Sequence, residues 1–192
     1  MASGKAVDNV YNVTIPSPAK KLRELYYMAH FIHSHAAHFY ALGAPDFVVG
    51  PDAPKAKRNV LGLIEKVGLE TGREVIRQRA ISQDIQIIVG GRATHPVWNI
   101  PGGVAKALTP EEREKLRPMA QDQLLFGELG LKIFADVVLK NEAYMDLVLG
   151  DGYELVTNYM GLVDQNNHVN FYDGKVRVVD TTGKEIFTYT EP

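Results

Sequence analysis

Four of the six histidines fall within nine residues, at His30, His33, His35 and His38. Histidines three residues apart on a helix, such as His30/His33 and His35/His38, could each offer two ligands to a metal ion. At about 100° per residue, however, the four side chains fan across roughly 200° of a helix surface and cannot converge on one ion. We therefore favour the alternative, in which the rings bond to neighbouring helices and pack among aromatic side chains.

A second candidate for chemistry is the segment from Gly90 to Gly103, Gly-Gly-Arg-Ala-Thr-His-Pro-Val-Trp-Asn-Ile-Pro-Gly-Gly. Two glycine pairs, which allow tight turns and close backbone approach, bracket Arg92, His95 and the only tryptophan, Trp98. Functional side chains are common on loops of this kind. From the residues alone, an irregular structural connection around a buried tryptophan is an equally good interpretation.

The composition excludes several classes of function. The sequence contains no cysteine, so a disulfide, a thiolate zinc site, an iron–sulfur cluster and a cysteine nucleophile are excluded within these residues. The net charge of −2 comes from dispersed charges without a basic stripe for nucleic acid. Neither a membrane-spanning apolar run nor a signal-peptide pattern is present. We expect a cytoplasmic protein that binds neither nucleic acid nor membrane.

The apolar spacing predicts that helices position both candidates. The first expected elements are a helix at 1–9, a helix from an N-cap at Ser17 to about Leu42, and a loop at Gly43–Lys55. Two further helices are expected at Val60–Val67 and Arg73–Val89. The last helix begins at the capping box Thr109–Glu112 and runs toward Lys140. The histidines then lie on the second helix, and the glycine-bracketed loop follows the fourth.

The pattern changes beyond Asn141, where short segments rich in Val, Tyr, Phe and Thr predict three antiparallel strands at Val169–Tyr172, Val176–Val179 and Glu185–Tyr189. The predicted fold is mainly α with a small antiparallel β-meander near the C-terminus. We expect a helical core at 1–150 and a β-region at 151–192, folded as one unit.

Two segments together resemble one family. The run His30-Phe-Ile-His-Ser-His-Ala-Ala-His-Phe-Tyr-Ala-Leu-Gly-Ala-Pro-Asp-Phe-Val48 is similar to a segment of nickel–iron hydrogenase large subunits that reads Ser-His-Ala-x-His-Phe-Tyr and ends in Asp-Phe-Val. Gly90-Gly-Arg-Ala-Thr-His-Pro96, followed by Pro101-Gly-Gly-Val104, resembles that family's Gly-Gly-Lys/Arg-x-x-His-Pro loop, and Val169–Asp180 resembles its β-excursion. The similarity covers nearly the whole chain and is nearest to the cytoplasmic, methyl-viologen-reducing (F420-non-reducing) type.

The resemblance implies a helical core like that of hydrogenase large subunits. It also implies a Ni–Fe centre held by four cysteine thiolates, two near each end of the complete subunit. Residues Ala2–Asp8 match family positions that normally follow the first Cys-x-x-Cys motif by a few residues. The second pair of cysteines is expected well after the family position that corresponds to Pro192. We therefore expect an interior portion of the subunit, with no cofactor and no catalysis in this chain alone.

By the same resemblance, the helix with His33, Ser34, His35 and His38 would run past the metal centre. The position of Ser34 is often an aspartate in the family, and a serine cannot act as that carboxylate. Arg92 and His95 would face the iron–sulfur small subunit, with electron-transfer subunits as further partners. Apolar surface left uncovered in such a portion predicts self-association or a tightly bound partner.

Two alternatives remain open. One is a metal-free, hydrogenase-like scaffold, and the other is an interaction module like the quinone-site subunit of respiratory complex I, which belongs to the same superfamily.

Overall fold

Six α-helices run through residues 1–189, the part of the chain that the computed structural model describes. They are α1 (Ala2–Val10), α2 (Ser17–Ala36), α3 (Val60–Val67), α4 (Leu69–Gly90), α5 (Pro110–Phe134) and α6 (Glu142–Leu149). Residues Met1–Asn141 form one compact unit, and the residues from Glu142 on form a second. None of the helices in residues 1–189 is both long enough and apolar enough to cross a lipid bilayer.

Local sequence signals predict the start of α5 correctly but miss the start of α2 by one residue. Thr109 accepts a hydrogen bond from the Glu112 N–H while the Glu112 side chain accepts from the Thr109 N–H, so the predicted capping box at the start of α5 is confirmed. The predicted N-cap at Ser17 is wrong, because Ser17 is already helical and Pro16 occupies the cap position without a side-chain hydrogen bond.

Wide π-helical turns extend two of the long helices. One continues α2 from Ala37 to Gly43, a second follows at Pro45–Val49, and a third continues α5 at Ala135–Leu139. The loop predicted for Gly43–Lys55 is therefore wrong at residues 43–49. The second and third turns share an apolar contact region around Phe47, Val48 and Val138, and this packing prevails over the proline and glycine signals.

The main core of the helical unit lies between α2, α4 and the segment after α4. It contains Tyr26, Ala29, Ile85, Val89, Trp98 and Leu116, and a smaller cluster contains Ala36, Tyr40 and Phe126. A Cβ atom at Gly90 would lie 2.5 Å from the Tyr26 ring and 2.7 Å from Trp98 Nε1. The glycine is therefore needed because it lets two large aromatic side chains approach the backbone.

A buried polar cluster joins α4 to α5. The Gln123 amide donates to the Gln78 carbonyl at 2.8 Å and to Gln78 Oε1 at 2.9 Å, and the Ser82 hydroxyl donates to Gln123 Oε1 at 2.9 Å. All three side chains are nearly inaccessible to solvent. Because these polar atoms are hydrogen-bonded to one another, they fix the register of the two helices without leaving buried groups unsatisfied.

The second unit contains a three-stranded antiparallel sheet in the order β3 (Tyr159–Val163), β4 (Lys175–Val179) and β5 (Glu185–Thr188). The mainly α fold with a small β-meander is thus confirmed. The strand predicted at Val169–Tyr172 is wrong: Asn170 Oδ1 accepts the N–H groups of Tyr172 and Asp173, which turns the chain there. Residues 190–192 of the predicted β-region lie outside the described residues.

Candidate functional site

A buried ion pair joins α1 to α2. Arg23 is 1% exposed and Asp8 is 6% exposed, and Arg23 Nη1 lies 2.5 Å from Asp8 Oδ2. The other guanidinium nitrogen, Nη2, donates to the carbonyl oxygens of Gly103 at 2.6 Å and Ile100 at 3.0 Å. Asp8 Oδ1 accepts the Gly102 N–H at 2.9 Å. One pair of charges therefore holds α1, α2 and the segment around residue 101 together.

That segment is a short hairpin of β1 (Asn99–Ile100) and β2 (Gly103–Val104). Its two turn residues are Pro101 and Gly102, and Gly102 has a φ of +78°, as the third position of a type II turn requires. The sequence predicted only an irregular, glycine-bracketed loop between Gly90 and Gly103. The hairpin was missed because strands of two residues carry no periodic signal.

The loop between α4 and the hairpin is anchored from α2. The Tyr26 hydroxyl lies 3.1 Å from the Arg92 carbonyl oxygen and 3.0 Å from that of Ala93 and donates its proton to them. His95 adopts a left-handed backbone conformation with a φ of +55°, which is uncommon for a residue other than glycine. The loop thus has a defined path, with Trp98 buried at one end and the side chain of His95 exposed.

A cleft of about 730 Å³ lies between α1, α2, α4 and this loop. Three histidines line it: His30 and His33 from α2, and His95 from the loop. The start of α1 and the glutamine side chains of α4 complete the wall. The lining residues are Met1, Ser3, Gly4, Val7, Tyr26, Tyr27, His30, His33, Gln83, Gln86, Ala93, Thr94, His95, Pro96, Asn99 and Ile100. The described lining contains no aspartate or glutamate. The cleft therefore brings residues of the two candidate motifs into one site.

His33 is bonded to α4 rather than free in the cleft. Arg79 Nη2 lies 2.9 Å from His33 Nε2, and His33 Nδ1 lies 3.3 Å from the Arg79 carbonyl oxygen. Because a guanidinium can only donate, Nε2 accepts and the proton sits on Nδ1. Burial lowers the pKa of His33, and the charges of Arg79 and His30 lower it further, against the opposing effect of the bond to the Arg79 backbone. The ring is therefore held neutral.

Replacing Tyr26 by phenylalanine is expected to loosen this loop. The variant removes the hydroxyl bond to the carbonyls of Arg92 and Ala93, and such a bond contributes about 0.5–1.5 kcal/mol. We expect a loss of stability of that size and faster amide hydrogen exchange at residues 91–98. A matched control is Tyr159→Phe, which removes an exposed hydroxyl bond to Leu155 in the other unit. Unchanged exchange in the Tyr26 variant would contradict the anchoring role.

The other predicted residues lie elsewhere. Ser34 and His35 are exposed on α2, and His38 is exposed on the π-helical turn that follows it. His35 Nδ1 bonds to the Phe31 carbonyl of its own helix at 2.9 Å. Arg92 is exposed beside the cleft, where only its carbonyl group takes part, through Tyr26. The structure therefore places His33 and His95 together in the cleft and leaves the remaining four outside it.

His35 and His38 line an apolar groove between α2 and α5, which we call the α2–α5 groove. Its wider part, about 560 Å³, is lined by residues that include Met28, Ile32, Leu124 and Leu131, and an adjoining part of about 350 Å³ contains both histidines. Leu124 is 65% exposed and Leu131 is 72% exposed. Exposed apolar side chains clustered in one groove are typical of surfaces that contact another polypeptide.

The family model for nickel-dependent hydrogenases matches residues 1–68. The chain is 45% identical over 188 residues to an iron-sulfur subunit of the F420-non-reducing hydrogenase of Archaeoglobus profundus, a match that covers 98% of this chain and 39% of the relative. It is also 45% identical over 185 residues to a vhu subunit of the F420-non-reducing hydrogenase of Methanocaldococcus jannaschii, covering 96% of this chain and 43% of the relative. The chain belongs to the nickel-dependent hydrogenase family.

The fold agrees with this assignment. The structure of an NAD+-reducing [NiFe]-hydrogenase in the H2-reduced state superposes with a TM-score of 0.84 and 28% identity, covering 97% of this chain and 40% of that chain. The Ni-Fe-Se hydrogenase of D. vulgaris Hildenborough, with a TM-score of 0.64 and 21% identity, shares the fold. The chain corresponds to a portion of a hydrogenase large subunit. It spans about two fifths of the length of these relatives.

The residues of this portion do not fit a Ni–Fe centre held by thiolates. The sequence has no cysteine, and residues 1–189 contain no group of three or more His, Asp or Glu side chains arranged to hold a metal ion. Soft thiolates suit nickel and low-spin iron, and these residues supply none. No chemical step at that centre can therefore be derived from these residues.

The sequence analysis missed three residues that shape the site. Arg23 follows Ala19 and precedes Tyr26 on one helix face, and this spacing could have identified a buried arginine that needs a counter-ion. Its partner Asp8 lies on another helix, and the sequence carries no signal for that pairing. The same holds for Arg79, which is one of several arginines on α4 and gives no local sign that it meets His33.

Proposed function

We propose that this chain is an interior portion of a nickel–iron hydrogenase large subunit, in which it forms one wall of the chamber beside the metal centre. The complete enzyme would oxidise H2 or reduce protons, and the chain alone would do neither. The proposed location is the cytoplasm.

The observation that carries this proposal is the composition of the cleft. Its wall combines His33 from the hydrogenase-like histidine helix, His95 from the hydrogenase-like loop and the first residues of α1. By resemblance, those first residues follow the Cys-x-x-Cys motif closely along the chain. A motif placed there would lie near the cleft, so thiolates from polypeptide outside these residues would meet the histidines there.

The exposed surfaces support the proposed partners. Arg92 and His95 are exposed on the loop, as expected of residues that contact an iron–sulfur small subunit, and electron-transfer subunits would complete the assembly. The relatives described above are themselves named as subunits of larger hydrogenases. The α2–α5 groove would be covered by the part of the large subunit that these residues do not include.

A chimaeric protein tests the proposal. This chain would replace the matching segment of the vhu subunit from Methanocaldococcus jannaschii, which is expressed with its partner subunits. We expect nickel and iron in the purified complex and H2-dependent dye reduction, whereas the isolated chain should contain neither metal and show no activity. A folded, assembled chimaera without nickel would contradict the proposal, and so would near-stoichiometric metal in the isolated chain.

The role of His95 can be tested in the same chimaera. His95→Ala should lower the rate of electron transfer to the dye about tenfold while the nickel content stays unchanged, because the residue is proposed to face the small subunit. His168→Ala, an exposed histidine of the β-containing unit, is the control. An unchanged rate in His95→Ala would remove this assignment.

The second candidate function is a metal-free scaffold that docks on an electron-transfer partner. The complete absence of cysteine favours it. A chimaera that assembles with the partner subunits but never acquires metal would support the scaffold and not the enzyme.

A further inference from the structure

Arg79 is a half-buried cation whose charge no carboxylate balances within residues 1–189. Each of the other arginines in the helical unit, apart from the exposed Arg92, forms an ion pair with a carboxylate: Arg23, Arg58, Arg73, Arg77, Arg113 and Arg117. The described carboxylates all lie farther than 4.0 Å from the nitrogen atoms of Arg79. Its Nε is buried and has no hydrogen-bond acceptor among the described residues.

The side chain that Arg79 does contact cannot neutralise it. His33 accepts one N–H through Nε2 at 2.9 Å and donates its own Nδ1–H to the Arg79 carbonyl at 3.3 Å. A ring held in this way is neutral and keeps its lone pair directed at the guanidinium. The pair therefore has a net positive charge.

The neighbouring cleft does not supply a negative charge either. Arg79 does not itself line the cleft, but its partner His33 and Gln83, one turn along α4, do, and the described lining is free of acidic side chains. With a volume of about 730 Å³, the cleft has room for a carboxylate group, since a single water occupies about 30 Å³ in the liquid. A histidine-lined, acid-free cleft beside an unbalanced guanidinium favours an anion.

We propose that Arg79, positioned by His33, binds a carboxylate group that residues 1–189 do not supply. A guanidinium presents parallel N–H donors that match the two oxygens of a carboxylate, and such a pair satisfies both the charge and the donors. The carboxylate is either an aspartate or glutamate side chain of an adjoining polypeptide or a small free carboxylate. The proposal concerns binding alone and does not depend on hydrogen chemistry.

The test uses the purified 192-residue chain with 15N-labelled histidine. Sodium acetate is titrated against sodium chloride at constant ionic strength, and the His33 ring nitrogens are followed by NMR. We expect a saturable shift of these signals in the wild type. The dissociation constant should rise at least tenfold in Arg79→Gln, with an intermediate value in Arg79→Lys, which keeps the charge but not the two parallel donors.

Arg77→Gln is the matched control, because Arg77 lies on the same helix and is already paired with Glu74 and Asp122; it should bind acetate like the wild type. Circular dichroism shows whether each variant is folded, and Arg79→Lys provides a second readout if Arg79→Gln is not. Signals of His33 that do not saturate with acetate, or that respond equally in every folded Arg79 variant, would overturn the proposal.

Repeating the titration on the assembled chimaera identifies the source of the carboxylate. If a side chain of the adjoining polypeptide fills the site, acetate no longer shifts the His33 signals there. If the ligand is a small free carboxylate, the shift persists. This experiment reads out binding, so an inactive chimaera leaves its result intact.

Discussion

Replacing Arg23 by methionine is expected to lower the free energy of unfolding by about 3–5 kcal/mol, the usual effect of removing one partner of a buried ion pair. The substitution leaves the Asp8 carboxylate buried with the Gly102 N–H as its remaining described donor. It also removes the donor to the carbonyl groups of Ile100 and Gly103. Because the unfolding free energy of a typical domain is about 5–15 kcal/mol, this is a large fraction of the total. Urea unfolding followed by circular dichroism measures it.

Two controls define the cause of that loss. Arg73→Met breaks an exposed ion pair with Glu70 and should change the free energy of unfolding by only about 0–1 kcal/mol. The double variant Asp8→Leu/Arg23→Met replaces both charges by apolar groups and should recover much of the lost stability, since paired replacement of buried ions is often close to neutral. A double variant as unstable as the sum of the single variants would show that the two residues act separately.

The pH dependence of stability provides another measure of this ion pair. Burial by itself raises the pKa of Asp8, but the hydrogen bonds from Arg23 and from the Gly102 N–H, with the Arg23 charge, outweigh burial and hold the pKa below its ordinary value. A lowered folded-state pKa stabilises the protein above the unfolded value of about 3.9, and this stabilisation disappears as the pH falls through the folded value. The wild type should therefore lose more stability below about pH 4 than Asp8→Asn does.

The second large effect is expected at the α2–α5 groove. We expect the isolated chain to self-associate through this surface at micromolar concentration, because Leu124 and Leu131 are mostly exposed in it. Replacing either leucine by aspartate places a charge in an apolar contact and should weaken association about 30-fold, the equivalent of about 2 kcal/mol for an interface residue of this kind. Sedimentation velocity over a range of concentrations gives the dissociation constants.

Leu61→Asp is the control for this prediction. Leu61 is as exposed as Leu131, at 72%, but it lies on α3 and does not line the groove. Its substitution should leave the dissociation constant unchanged. A wild-type chain that sediments as a monomer at micromolar concentration would contradict the prediction of self-association, and equal effects at Leu61 and Leu131 would assign it to general surface hydrophobicity.

Sequence reasoning succeeded where the signal is local. The capping box at Thr109, the glycines that end α4 and the apolar spacing of α2 were enough to predict these helices close to their observed bounds. It failed at Pro45–Val49 and at Val169–Tyr172 for opposite reasons. In the first case long-range apolar packing formed a turn of helix, and in the second the Asn170 side chain turned a segment of strand-like composition.

The candidate site was predicted only in part, because its residues come together through contacts between elements that are distant in the sequence. Helical geometry predicted that the four clustered histidines would point in different directions, and the structure separates His33 in the cleft from His35 and His38 in the groove. That geometry could not show which of them would meet the His95 loop. The answer depends on how α2 packs on α4, which a single helix does not specify.

The sequence by itself determined the mainly helical fold, the absence of thiolate ligands and the hydrogenase-like motifs, because composition, periodicity and short motifs are properties of neighbouring residues. Only the tertiary structure decided that Arg23 meets Asp8 at a separation of 15 residues, that His33 meets Arg79 at 46, and that Arg23 reaches the Gly103 carbonyl at 80. These contacts exist because packing brings distant charged and polar groups into a shared interior, where each group must find a partner.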